Sequence, residues 1–223
     1  MQLISMVFLK PLKKRIRTTN SFNKSQEEFT MIKLPLNTDL SGKVAVVTGA
    51  GGVLCGMFAE ALAQAGAKVA VLDLNEEAAQ KVAAEIVANG GVAKAYKTNV
   101  LEKDSLIATH EAVLADLGTC DILINGAGGN NPRATTDKEY FEHGDIDADT
   151  ISFFDLDPSG VEFVFNLNFI GTLLPTQIFA QDMVDKEGCN ILNISSMNAF
   201  TPLTKIPAYS GAKAAISNLQ QWL

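Results

Sequence analysis

From residue 43 onward, short continuous apolar runs alternate with amphipathic stretches of helix length, and few folds satisfy that alternation. Residues 43–48 (KVAVVT) read as a strand with no polar face, as burial on both sides requires. Residues 54–65 have helical spacing, 68–72 form a second buried strand, and 75–88 a second helix rich in Ala and Glu. Asn75 suits the cap of that helix, and Asn89-Gly90-Gly91 its stop. Residues 92–97 read as strand three, 102–117 as a helix ended by Gly118, and 121–124 as strand four.

Residues 129–157 break the rhythm. They open with Gly129-Asn130-Asn131-Pro132 and carry eight acids against Arg133 and Lys138, so the segment reads as an acidic surface insertion. A long helix over 159–186, capped by Asp157 or Ser159 and followed by Gly188, leads to strand five at 190–194. A last helix starts near Tyr209. Right-handed crossovers between such strands give an α/β fold, a doubly wound parallel sheet of Rossmann type.

A chain of 223 residues, 47% hydrophobic and 19% charged, fits one globular domain rather than a disordered or disulfide-scaffold protein. A net charge of −7 argues against nucleic acid or an anionic membrane as partner. Cys55, Cys120 and Cys189 lie far apart without disulfide or metal spacing, which suits a reducing, cytoplasmic setting. No run of 18 apolar residues is present, so no membrane span is expected. Residues 1–30 carry a net +4 and the rest −11. In this leader the apolar run 3–9 precedes the basic residues, the reverse of a secretory signal; an amphipathic organellar presequence stays open. The leader reads as upstream sequence or a flexible arm, with the domain at 31–223. The helical pattern still runs at Gln220-Gln221-Trp222-Leu223 without a stop signal, so a domain cut after the helix that follows strand five is expected.

The first strand ends in Thr48-Gly49-Ala50-Gly51-Gly52-Val53-Leu54-Cys55-Gly56. Glycines at a strand-to-helix turn let a pyrophosphate approach the backbone and the helix N-terminus. The spacing is not Gly-x-Gly-x-x-Gly, because Leu54 holds the third glycine position, and a tight turn alone would explain it. Asp73 ends strand two, 24 residues after Gly49. An acid there accepts both adenosine ribose hydroxyls and repels a 2′-phosphate, favouring NAD over NADP; an acid at a helix N-terminus is the plainer alternative. Asn125-Gly126-Ala127-Gly128-Gly129 after strand four is either a bed for a flat ligand or simply a loop. Tyr209 and Lys213 are i and i+4 on one helix face. A phenol is a poor base at neutral pH, and a neighbouring ammonium favours the phenolate. Ser196, just past strand five, is placed to hold a substrate oxygen. His110 and His143 lack ligand spacing, and no metal site is expected.

In their order and spacing, Thr48-Gly49, Asp73, Asn125-Gly126-Ala127-Gly128, Asn168, Ser196, Tyr209 and Lys213 resemble the short-chain dehydrogenase/reductase family over residues 40–223. The resemblance implies a catalytic set of Asn168, Ser196, Tyr209 and Lys213. It implies NAD held by Gly49, Gly51, Gly52, Val53, Leu54, Asp73, Asn99, Val100, Asn125, Gly126 and Ala127, together with Tyr209 and Lys213. Segments 128–136, 153–157 and 196–200, with Lys205-Ile206-Pro207-Ala208-Tyr209, are similar to the D-mannonate oxidoreductase (fructuronate reductase) branch. That likeness implies hydride exchange between the nicotinamide and a sugar-acid carbinol, D-mannonate against D-fructuronate. Tyr209 is then the acid/base, Lys213 its partner, and Asn168 the anchor of a water reaching Lys213. Arg133, Ser196 and Asn198 face the substrate, Arg133 meeting its carboxylate. Another polyol acid such as gluconate, or a nucleotide-binding module without catalysis, are the alternatives. A methyltransferase ranks far below, having no use for Ser196, Tyr209 and Lys213. A homo-oligomer pairing through the helices at 102–117 and 159–186 is expected of such a family. The chain departs from the family pattern at Val53 and Cys55 (glycines), Asn99 (an aspartate) and Gly126 (an asparagine). The family's last two strands, Pro-Gly loop and substrate-covering helices have no counterpart.

Overall fold

Continuous β-branched runs bury both faces, so the strands stack side by side in the middle of the molecule. A computed structural model describes residues 38–223; the basic leader at 1–30 and the start at Met31 lie outside the described residues. Five parallel strands, β1 (Val44–Thr48), β2 (Lys68–Asp73), β3 (Val92–Lys97), β4 (Ile122–Asn125) and β5 (Asn190–Asn193), form one sheet in the order β3-β2-β1-β4-β5. The order reverses between β1 and β4, which opens a crevice at their carboxyl ends. All five β1 residues are buried, whereas β3, at the edge, is half exposed.

The helices α1 (Val53–Gln64) and α2 (Glu76–Ala88) cover one face, with Ala59, Ala63, Ala79, Ala83 and Ile86 against Ala45, Val47, Val69 and Val71. Small alanines let these helices lie close to the sheet. The cap of α2 is Asn75, whose Oδ1 accepts from the Ala78 N–H at 3.2 Å, as expected. On the other face α3 (Lys103–Asp116) brings Leu106 and Val113 against Val46, Ala70, Leu72 and Leu123.

The expected long helix is one helical run with internal breaks. Asp157 Oδ1 caps it, accepting from Ser159 N at 2.8 Å. It proceeds as α4 (Pro158–Phe165), a π turn (Asn166–Ile170), α5 (Gly171–Phe179) and a 3-10 turn (Ala180–Met183). It stops three residues short of the expected 186, where Val184 turns extended and Asp185 adopts a left-handed φ of 58°. Pro158–Met183 is long and apolar enough, by length and composition alone, to cross a membrane, which the absence of an 18-residue apolar run did not suggest. Its Val164, Asn168, Ile178 and Phe179 are buried, and it packs on α3 and β4, so in this fold it is a core helix. The last helix is α6 (Pro207–Trp222).

The acidic segment carries short 3-10 turns at Pro132–Ala134, Asp145–Asp147 and Phe153–Asp155. Lys138 gathers its charge, 2.7 Å from Asp145 and 2.9 Å from Glu142.

At the opposite end from the crevice, Asp121 is buried and ties the sheet together. Its carboxylate accepts from Val44 N at 2.9 Å and pairs with Lys43 at 3.2 Å and Lys186 at 2.8 Å. Burial alone would raise its pKa, but the bonds from Lys186, Val44 N–H and Lys43 prevail and hold it below the usual carboxylate range. The stability it contributes is therefore present above about pH 4 and lost as pH falls below that. Asp121→Ala should cost about 2–4 kcal/mol in urea unfolding at pH 7. The deficit relative to wild type should shrink when the titration is repeated near pH 3.

Candidate active site

The loop after β1 is shaped for backbone approach. Gly49 has a left-handed φ of 67°, and a Cβ there would lie 2.9 Å from the Ala127 backbone. Thr48 Oγ1, fully buried, accepts from both Gly126 N at 3.1 Å and Ala127 N at 3.2 Å, locking the loops after β1 and β4 together. Gly52 caps α1 without any side-chain bond, and the first turn of α1 has no acid. Its N–H groups are thus left for an anion, with Val53 and Leu54 exposed beside them.

Asp73, at the end of β2, accepts from Gly51 N at 3.0 Å and Asn75 N at 2.8 Å. One carboxylate joins the two loops that would flank an adenosine, and it retains lone pairs for ribose hydroxyls. Asn99 is held locally: it accepts from Leu101 N at 3.1 Å and donates to Glu102 at 2.8 Å. Val100 is buried and packs where a Cβ on Gly171 would fall.

Beyond β4 the catalytic candidates converge. Asn168, fully buried in the π turn, donates to Gly129 O at 2.7 Å and accepts from Gly129 N at 3.3 Å. A Cβ on Gly128 would lie 2.7 Å from Asn168 Oδ1 and 3.3 Å from Lys213 Nζ. Gly128 is therefore the floor on which Asn168 and Lys213 meet. In sequence it reads only as one of the run of small residues after strand four. Lys213 is buried; its Nζ donates to Ile194 O at 2.8 Å and lies 5.6 Å from the Tyr209 ring centroid. Burial pushes the Lys213 ammonium down to about 8. Asn125, also buried, donates to Thr176 and Asn193, both at 2.8 Å, and its Oδ1 has no partner among the described residues.

Ser196 begins a turn at Met197–Ala199 that packs on α6. Its Oγ accepts from Asn198 N at 3.2 Å, so the hydroxyl proton stays available. Asn198 itself is buried. Arg133 Nη1 bonds Asp157 at 3.4 Å and its Cβ lies beneath Gly160, while the next residue, Ala134, packs in the cluster that Tyr209 joins. Among the described residues no cluster of His, Cys, Asp or Glu could hold a metal.

Two departures from the family pattern prove to be one packing choice. A Cβ on Gly126 would collide with Cys55 Sγ and lie 3.1 Å from Thr48 O. The cysteine fills the volume that a side chain at 126 would need. Burial pushes the Cys55 thiol up to about 11, so it stays protonated and acts as filler.

Residues 43–223 match the family model described as short chain dehydrogenase. An uncharacterized oxidoreductase of Haemophilus influenzae is 63% identical over 88% of this chain and 68% of its own length. An uncharacterized oxidoreductase of Bacillus subtilis, UxuB, is 45% identical over 85% of this chain and 67% of its own. A crystal structure of a protein from Haemophilus influenza, provisionally named a D-mannonate oxidoreductase and holding NAD, superposes with TM-score 0.81 at 64% identity. That match covers 83% of this chain and 66% of the other, so the chain spans about two thirds of the length of these relatives.

Gly126→Ala should destabilise the fold by about 1–3 kcal/mol through overpacking. Adding Cys55→Ala should recover most of that loss, giving a coupling of about 1 kcal/mol or more in a double-mutant cycle. Lys213 has a second consequence. Below pH 8 its ammonium is charged in folded and unfolded states alike, and the burial cost is fully present. As pH climbs from about 8 toward 10.5, the folded state sheds the proton first and stability rises. Lys213→Met should therefore melt higher than wild type at pH 7, and the gain should narrow by pH 10 in paired thermal scans.

Proposed function

The chain belongs to the short-chain dehydrogenase family, and from that premise we propose that it binds NAD(H) and interconverts a sugar-acid alcohol and its ketone, D-mannonate and D-fructuronate. The observation that carries the catalytic part is the meeting of Gly128, Asn168, Lys213 and Tyr209 at the carboxyl ends of β4 and β5. The substrate is taken from the provisional name of the Haemophilus protein.

The residues present fit a dinucleotide. The uncapped first turn of α1, which the left-handed Gly49 leads into, suits a pyrophosphate. Asp73 would hold the adenosine ribose and disfavour a 2′-phosphate. Gly126 and Ala127 would lie beside the far half of the molecule, whose nicotinamide supplies or accepts the hydride when bound. Ser196 donates its free hydroxyl proton to the reacting oxygen. Tyr209 gives its phenolic proton to that oxygen on reduction and takes one back on oxidation. Lys213, whose ammonium faces the Tyr209 ring, would set a positive charge beside the phenolate left behind. Asn168 fixes the loop at Gly129 against which this set is built.

Loss of NADH absorbance on adding D-fructuronate tests the reading directly. Tyr209→Phe should lower turnover by about a hundredfold or more while leaving NADH affinity within about twofold. A wild-type protein that binds NADH and reduces no sugar acid overturns the substrate; a Tyr209→Phe protein as active as wild type overturns the mechanism.

A further inference from the structure

A sugar-acid substrate brings a carboxylate, and its recognition needs a cation that no protein acid has already neutralised. This inference therefore rests on the reading above. Among the described residues four cations stand on or next to the elements that carry the catalytic set. Arg133 pairs with Asp157 at 3.4 Å. Lys138 is held by Asp145 at 2.7 Å and Glu142 at 2.9 Å. Lys213 is buried and bonded to Ile194 O at 2.8 Å. Lys205 alone of the four has neither an ion pair nor a side-chain hydrogen bond among the described residues.

The backbone at Lys205 is unusual too. Its φ is 73°, and Asp185 is the only other non-glycine with positive φ among the described residues. A residue with a Cβ disfavours this conformation, so its surroundings must impose it. The Thr136 N–H supplies one restraint, donating to Lys205 O at 2.9 Å and tying the loop that bears Arg133 to the loop that enters α6. Pro207 then opens α6, and Tyr209 follows in its first turn. Lys205 thus lies on the connection between the Ser196 turn and Tyr209, the two residues assigned to the reacting oxygen.

We propose that Lys205 is the specificity residue that binds the substrate carboxylate, with its half-buried, unpaired side chain carried on a left-handed backbone between Ser196 and Tyr209, while Arg133 fastens its own loop to Asp157. Arg133 was the cation expected from sequence for this task, but its partner is already present.

Kinetics on two substrates of one skeleton test the proposal: D-fructuronate and its neutral methyl ester, each with NADH. Lys205→Met should raise the KM for fructuronate by roughly tenfold or more and leave that for the ester nearly unchanged. NADH affinity should not move. Lys205→Arg should restore much of the discrimination. Lys205→Gly, which relieves the backbone and removes the charge together, should behave like Lys205→Met. Equal KM changes for acid and ester, a Lys205→Gly protein that discriminates as wild type does, or a selective loss in Arg133→Ala but not in Lys205→Met would each overturn it. Should the wild-type protein reduce no sugar acid at all, the substrate reading falls and takes this proposal with it. An active wild type with an unaltered Lys205→Met removes this proposal alone.

Discussion

Two loops, one after β1 and one after β4, approach so closely that their backbones touch, and the functional end of the molecule depends on that contact. Gly49 has room for no Cβ because Ala127 is there, and Thr48 satisfies two N–H groups of the opposite loop with a single buried hydroxyl. The contact sits where the strand order reverses. A parallel sheet has one such crevice between β1 and β4, and only residues without bulk line it closely. Cys55 and Gly126 show the same pressure in another form: the space is constant, and one side chain occupies it.

Lys213 is the electrostatic counterpart of this geometry. A buried ammonium is costly, and here the cost is met by one carbonyl, Ile194 O, and by the face of Tyr209. The same burial lowers its pKa. The π turn at Asn166–Ile170 serves this assembly. Asn168 within it grips Gly129 by both amide groups, fixing the loop behind Gly128 against which Lys213 lies.

The sheet and its helices were legible because each strand is a run with no polar face and each early helix has a recognisable start or stop, Asn75 and Gly118 among them. The break inside Pro158–Met183 was not legible. A π turn adds a residue inside a helix and leaves no periodic signature of its own. Tyr209 and Lys213 were readable from i, i+4 spacing. Gly128 is legible only as one small residue of a possible ligand bed, because a glycine's reason lies in what stands where its side chain would be. Position and a guanidinium's fit to a carboxylate suggest Arg133 for the substrate, and they do not reveal that an acid 24 residues away pairs with it.

By itself, then, the sequence determined the alternation of elements, the parallel sheet, the acid at the end of β2 and the residue types of the proposed catalytic set. These are local properties, carried by hydrophobic period and by side chains at short spacing. Tertiary structure alone decided which groups meet. It put Gly128 under Lys213, set Cys55 in the place of a side chain at 126, paired Arg133 with Asp157 and left Lys205 without a partner on a left-handed backbone. Such pairings join residues tens of positions apart, and no local pattern encodes them, because burial and excluded volume act through space rather than along the chain.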